Sequence, residues 1–123
     1  MLRLKKIKSS EHQIQSAFFE LLRVKYNFLE VFAFAIPNGG HRHISVAKKL
    51  KKEGVKAGVS DVFIAFPYGS KHGLWIEFKA GNNKMTEQQA AFSNRMLAVG
   101  YDFALCYSID DAIIAIDRYL WGD

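Results

Sequence analysis

Two apolar runs, Asp61 to Phe66 and Leu74 to Ala80, flank a turn through Pro67 to Gly73, and this strand-turn-strand unit constrains the fold more than any other stretch. A hairpin in mid-chain with helical patterns on both sides demands a sheet with helices packed on it. The pattern before it begins at Ser9-Ser10 and runs through Ile14, Ala17, Phe18, Leu21 and Leu22, the spacing of an amphipathic helix. Ser10 and Gln13 make a capping box, so that helix should start near Glu11. Leu29 to Ile36 reads as a strand stopped by Pro37-Asn38-Gly39-Gly40, followed by a short helix, Ile44 to Glu53, with Ile44, Ala47 and Leu50 inward and Gly54 at its C-cap. After the hairpin, Thr86 and Gln89 cap a helix with Ala90, Phe92, Met96 and Leu97 on its apolar face. Tyr101 to Tyr107 reads as a strand buried on both faces, with Cys106 a small hydrophobe in it. Ser108 and Asp111 cap a last helix, Ile109 to about Leu120, with Ile113, Ile116 and Leu120 inward. The predicted order is α, β, α, β, β, α, β, α, an α/β fold with a mixed central sheet flanked by helices.

At 123 residues, half of them hydrophobic, the chain is expected to form one domain, residues 1–123. No uncharged run reaches the roughly 18 to 20 apolar residues that span a bilayer. The N-terminal stretch has no apolar segment of a signal peptide, and the one cysteine excludes an internal disulfide, so the chain reads as cytoplasmic. The net charge of +5 is unevenly spread: residues 1–60 hold 12 Lys and Arg against 4 Asp and Glu, whereas residues 61–123 hold 5 against 8. A basic half suits a polyanionic partner. Four lysines, Lys48, Lys49, Lys51 and Lys52, crowd one helical turn, which is either a solvated face or a phosphate-binding one; charge alone does not choose.

The chemistry concentrates in the hairpin. If it closes symmetrically about Gly69, Asp61 lies opposite Glu77, and alternation puts Glu77 and Lys79 on one face. Two adjacent carboxylates repel and need a proton or a cation between them. Hard oxygen ligands with room for water suit Mg²⁺, with Mn²⁺ as a substitute. Alternation is equally compatible with Trp75, Glu77 and Lys79 forming the solvent face of an ordinary sheet. Glu11 falls at the N-terminal end of the buried stripe of the first helix, where a charge either serves the helix dipole or has another task. Of the histidines, His12 reads as an exposed helix residue, His72 as a turn residue, and His41 and His43 as flanks of the glycine loop. The order of elements does not supply the ββα arrangement of a one-metal histidine nuclease.

The succession of Asn38-Gly39-Gly40-His41-Arg42, a basic helix, Gly54-Val55-Lys56-Ala57-Gly58, Gly58-Val59-Ser60-Asp61, Glu77-Phe78-Lys79 and Met85-Thr86-Glu87-Gln88-Gln89 resembles the virus-type replication-repair nuclease (VRR-NUC) domain of the PD-(D/E)XK superfamily. The resemblance runs from about Glu11 to Tyr107 and departs at Ser60, where the superfamily signature usually has proline. It implies a restriction-endonuclease-like core and a metal-dependent endonuclease. The metal, Mg²⁺ or Mn²⁺, would be held by Glu11, Asp61, Glu77 and the Phe78 carbonyl. Lys79 would assist the attacking water, and Gln89 would orient Lys79 or a phosphate, although the capping box alone also accounts for Gln89. Asn38, Arg42, Lys48, Lys49, Lys52 and Lys56 would meet DNA phosphates, which position a duplex without reading its sequence. By the same resemblance the substrate is branched DNA, such as four-way junctions in viral or phage replication and repair. The enzyme would be a homodimer, through the aromatic-rich Tyr26 to Phe34 region or the final helix with Trp121. A non-catalytic nucleic-acid-binding module, or a nuclease for RNA or simple duplex, remains compatible with the residues.

Overall fold

A computed structural model of the chain describes residues 10–37 and 44–122. Helix α1 (Glu11–Lys25) begins with the expected capping box: the Ser10 hydroxyl accepts from the Gln13 amide at 3.1 Å, and the Gln13 side chain accepts from the Ser10 amide at 2.8 Å. Where a single strand was expected from Leu29, the chain first makes a one-turn helix, α2 (Asn27–Glu30), and only then strand β1 (Ala33–Ala35). Leu29 is buried as a helical residue. An apolar run of this length fits helix or strand, and packing on α1 decides between them here.

Helix α3 (Ile44–Lys52) starts where expected and ends one residue before Glu53, but it buries none of its residues; Ile44 is 71% exposed and only Leu50 is partly covered. Periodicity fixes which residues share a face, and leaves open whether that face meets a partner. Strands β2 (Val62–Ile64) and β3 (Leu74–Phe78) form the hairpin, in the predicted register: Val62 opposite Ile76, Phe63 opposite Trp75, Ile64 opposite Leu74. Helix α4 (Glu87–Ala98) then leads to β4 (Asp102–Cys106), parallel to β3, and helix α5 (Ile109–Trp121) closes the described chain. The four strands lie in the order β1-β2-β3-β4, with the first two pairings antiparallel. The sheet is mixed, as expected, but β4 is its edge and not a central strand. Of its residues only Cys106 is buried, because no further strand among the described residues covers the outer side.

One sheet face, with Val62, Ile64, Leu74, Ile76 and Phe78, packs against Ile14, Phe18 and Leu22 of α1 and Ala112, Ile116 and Leu120 of α5. Ala112 takes the buried place expected for Ile113, which is partly exposed. Each fully buried Leu, Ile or Phe contributes about 1.5–3 kcal/mol, so this face carries most of the stability. The other face is aromatic. Phe34, Phe63, Trp75 and Phe103 are successive register partners across all four strands, and the Phe63 and Trp75 rings stack at 4.2 Å. Helix α4 lies on this row with Phe92 edge-on to Trp75 at 5.0 Å. Its buried residue is Ser93, whose hydroxyl donates to the Ala90 carbonyl at 2.9 Å, whereas Leu97, expected inward, is exposed.

Gly58 is where the loop before β2 meets the first turn of α4. Its φ is +87°, and a Cβ there would stand 2.6 Å from the Gln88 carbonyl oxygen, a backbone atom that cannot swing away. Gly58→Ala should therefore destabilise the fold by about 1–3 kcal/mol, read as a lower urea midpoint with an unchanged m-value. An unchanged midpoint would show that this contact does not seat α4.

Candidate active site

The ladder between β2 and β3 ends at Val62 and Ile76, and the next position in register places Asp61 against Glu77. There the side chain takes over from the backbone: Asp61 Oδ2 accepts the Phe78 amide at 2.8 Å. This bond holds the Asp61 carboxylate at the hairpin edge beside Glu77. Because the N–H and C=O of an extended residue point toward the same neighbouring strand, the Phe78 carbonyl faces that side as well. On the other side of Asp61 its own carbonyl accepts the Ile36 amide at 2.7 Å, so Ile36, Asp61, Glu77 and Leu105 form a row one step beyond the aromatic one.

Glu77 is not the solvent-facing residue that alternation allowed. It is 2% exposed, on an internal strand with α4 on its face, and Lys79 is 9% exposed. Gln89 Nε2 donates to Glu77 Oε2 at 3.3 Å, while Glu77 Oε1 is buried without a hydrogen-bond partner. Burial chiefly, then the Asp61 carboxyl close beside it, push the Glu77 carboxyl from its ordinary 4.5 up to about 9; Lys79 pulls it down and Glu11 adds to the rise. A buried carboxylate with a free oxygen beside a second carboxylate is a place for a proton or a cation.

Gln89 does two jobs at once. Its Oε1 accepts the Thr86 amide at 2.9 Å and its backbone amide donates to Thr86 Oγ1 at 3.1 Å, which is the capping box. Its Nε2 remains for Glu77. Its Nε2 donates to Glu77, a partner beyond the Lys79 or phosphate expected for it. Glu11, on the first turn of α1, sets its Oε1 3.9 Å from Lys79 Nζ. It faces the lysine, and among the described residues no group of three or more His, Cys, Asp or Glu side chains is disposed to hold a metal. The converging acids are the pair Asp61 and Glu77. That pair fits a small divalent cation, since Mg²⁺ commonly takes one or two carboxylates and keeps several waters.

Of the residues expected to meet DNA, Lys48, Lys49 and Lys52 are exposed on α3 and Lys56 just after it. Asn38 and Arg42, with His41 and His43, lie outside the described residues. His12 and His72 take no part in the hydrogen bonds of the acid pair, and both are exposed. The aromatic row beside the acids is what sequence reasoning missed. Its Phe63–Trp75 step follows from the same hairpin symmetry that pairs Asp61 with Glu77, but Phe34 needs the β1 register.

The VRR-NUC domain matches residues 9–110. The chain belongs to the VRR-NUC family. A solved structure described as "VRR_NUC domain protein" is 27% identical, superposes with a TM-score of 0.79, and the match covers 92% of this chain and 89% of that one. Among curated proteins none matches. Membership makes the chain a nuclease of the PD-(D/E)XK type, a class that typically uses divalent metal. No helix among the described residues is long and apolar enough to cross a membrane.

The raised Glu77 pKa has a definite sign for stability. The folded protein holds a proton that the unfolded chain releases above about pH 4.5, so metal-free stability should fall as pH rises from 4.5 through about 9. Glu77→Gln keeps the shape and removes the charge. It should raise metal-free stability at pH 8 by roughly 1–3 kcal/mol and flatten its pH dependence, measured by urea denaturation across that range. A variant that is less stable than the unaltered protein at pH 8 would contradict the environment described for Glu77.

Proposed function

We propose that this VRR-NUC chain, acting as a single nuclease domain over residues 1–123, is a Mg²⁺-dependent, structure-selective DNA endonuclease that cuts branched DNA such as four-way junctions, with Mn²⁺ as a substitute. The observation that carries the reading is the buried Glu77 carboxylate, with one oxygen held by Gln89, the other without a partner, and Asp61 at its side. Asp61, Glu77 and the Phe78 carbonyl would hold the cation. When bound, it supplies positive charge against the scissile phosphate and lowers the pKa of water at the site. Asp61 is kept in place by the Phe78 amide, and Gln89, anchored in its capping box, keeps Glu77 from turning away. The Lys79 ammonium would orient the attacking water and offset charge developing on the phosphate. Glu11, the expected upstream acid of the metal site, lies with its Oε1 3.9 Å from Lys79 Nζ and would also hold that ammonium in place.

The exposed Lys48, Lys49, Lys52 and Lys56, together with Arg42 and Asn38, would track the phosphate backbone, giving affinity that falls with salt. Homodimerisation would bring two sites to a two-fold symmetric junction. Exposed apolar side chains support it: Phe28, Val31 and Phe32 around α2, and Ile114 and Trp121 on α5.

Glu77→Ala and Lys79→Ala should each lower Mg²⁺-dependent cleavage of a four-way junction by at least about 100-fold, with binding in Ca²⁺ little changed. A strand-cleavage assay on junction, flap, duplex and RNA substrates at equal salt reads this. Full cleavage by Glu77→Ala would overturn the assignment, and salt-sensitive binding with no product under any divalent ion would make the chain a binding module.

A further inference from the structure

The row of residues that holds Asp61 and Glu77 does not stop at the acids. Across Asp61 it reaches Ile36, bound through its amide to the Asp61 carbonyl, and beyond Ile36 a cleft of about 340 Å³ opens. Among the described residues, Ile36, Pro37, Val55 and Val59 form its apolar walls, and Lys56 and Glu53 supply one charge of each sign. Val59 lies two residues before Asp61, so the cleft adjoins the acid pair along the chain as well as along the row. Two residues before Ile36, on the same side of the strand by alternation, Phe34 is 48% exposed, its ring edge-on to Phe63 at 5.8 Å. Diagonal neighbours on a sheet face stand about 7–8 Å apart, which sets Phe34 one nucleotide's reach from Asp61.

These features have a common reading as chemistry. The volume is at the low end of small-ligand sites, which run from roughly 300 to 1,000 Å³, and suits one nucleotide while excluding a duplex. Apolar walls and an open aromatic ring suit the face of a base, since every base can stack. Lys56 suits a phosphate, and Glu53 accepts from the N–H edge of a base while repelling a second phosphate. We propose that this cleft, with Phe34, is a subsite for one unpaired DNA nucleotide flanking the scissile phosphate, its base against Phe34 and the apolar wall and its phosphate on Lys56. The proposal rests on the reading of Asp61 and Glu77 as the place of phosphodiester hydrolysis.

The consequence concerns selectivity. A base stacked inside an intact duplex cannot enter the cleft without unstacking, whereas a branch point, flap or frayed end offers one already unstacked. Preference for branched DNA then arises within one subunit, next to the bond that breaks, and does not require two sites at a fixed spacing.

The test uses the full chain. With the cut position mapped on a four-way junction, 2-aminopurine is placed at each nucleotide flanking it, and fluorescence is followed on binding to Glu77→Ala protein in Ca²⁺. One flanking position should change on the junction and not on the matching duplex, and Phe34→Leu added to Glu77→Ala should abolish the change. In otherwise unaltered protein Phe34→Leu should raise KM for the junction about 5- to 100-fold with kcat nearly constant, and Phe34→Trp should restore it. Lys56→Ala should raise KM in the same direction. The subsite is overturned if Phe34→Leu leaves KM and the fluorescence change intact, or if junction and duplex give the same signal. Unaltered protein that cuts no DNA with Mg²⁺ or Mn²⁺ overturns the reading of Asp61 and Glu77 itself, and the subsite with it; normal cutting by Phe34→Leu overturns the subsite alone.

Discussion

The hydrogen bond from the Phe78 amide to Asp61 Oδ2 is the point on which the rest of the molecule turns. It ends the β2–β3 ladder with a side chain where a backbone carbonyl would otherwise stand, and so brings a carboxylate to the edge of the hairpin at a fixed height. That height is the height of Glu77 on the neighbouring strand. Everything nearby follows from placing two acids together: α4 must supply Gln89 to hold one Glu77 oxygen, and α1 must supply Glu11 to meet Lys79. The second Glu77 oxygen is left without a partner.

A buried pair of carboxylates works against folding, and the fold tolerates it by dividing its two sheet faces. The α1 and α5 side is a close apolar core running from Phe18 to Leu120, which needs nothing from the acids. The opposite side carries the polar chemistry, and it is stiffened by the aromatic row from Phe34 to Phe103 and by Phe92 of α4. Gly58 ties the two halves of the site together, because its bare Cα lets the loop before Asp61 press on the helix that carries Gln89. A change in this contact would be felt at Glu77 through Gln89.

Much of this is legible in the residues, for reasons that are local. The capping boxes at Ser10 and Thr86 depend on four residues each, and both form as expected. The hairpin register follows from a symmetric turn, and the same symmetry sets Asp61 against Glu77. What the residues do not reveal depends on distant partners. The apolar stripe of α3 finds no cover among the described residues, and β4 has no neighbour there on its outer side, since pattern does not encode what lies beyond an element's own face. Glu11 is legible as an acid on a buried stripe, but its pairing with Lys79 depends on how α1 crosses the end of β3. Gln89 looks in the sequence like a choice between cap and site residue; the two ends of one amide serve both.

The central claim is that the partnerless Glu77 oxygen and Asp61 exist to receive a divalent cation. Anomalous scattering from crystals grown with saturating Mn²⁺ tests it most directly. The account predicts one strong peak between the Asp61 and Glu77 carboxylates, absent from Glu77→Gln crystals. A protein that cleaves DNA with Mn²⁺ yet shows its Mn²⁺ bound elsewhere, with that pair empty, would contradict it.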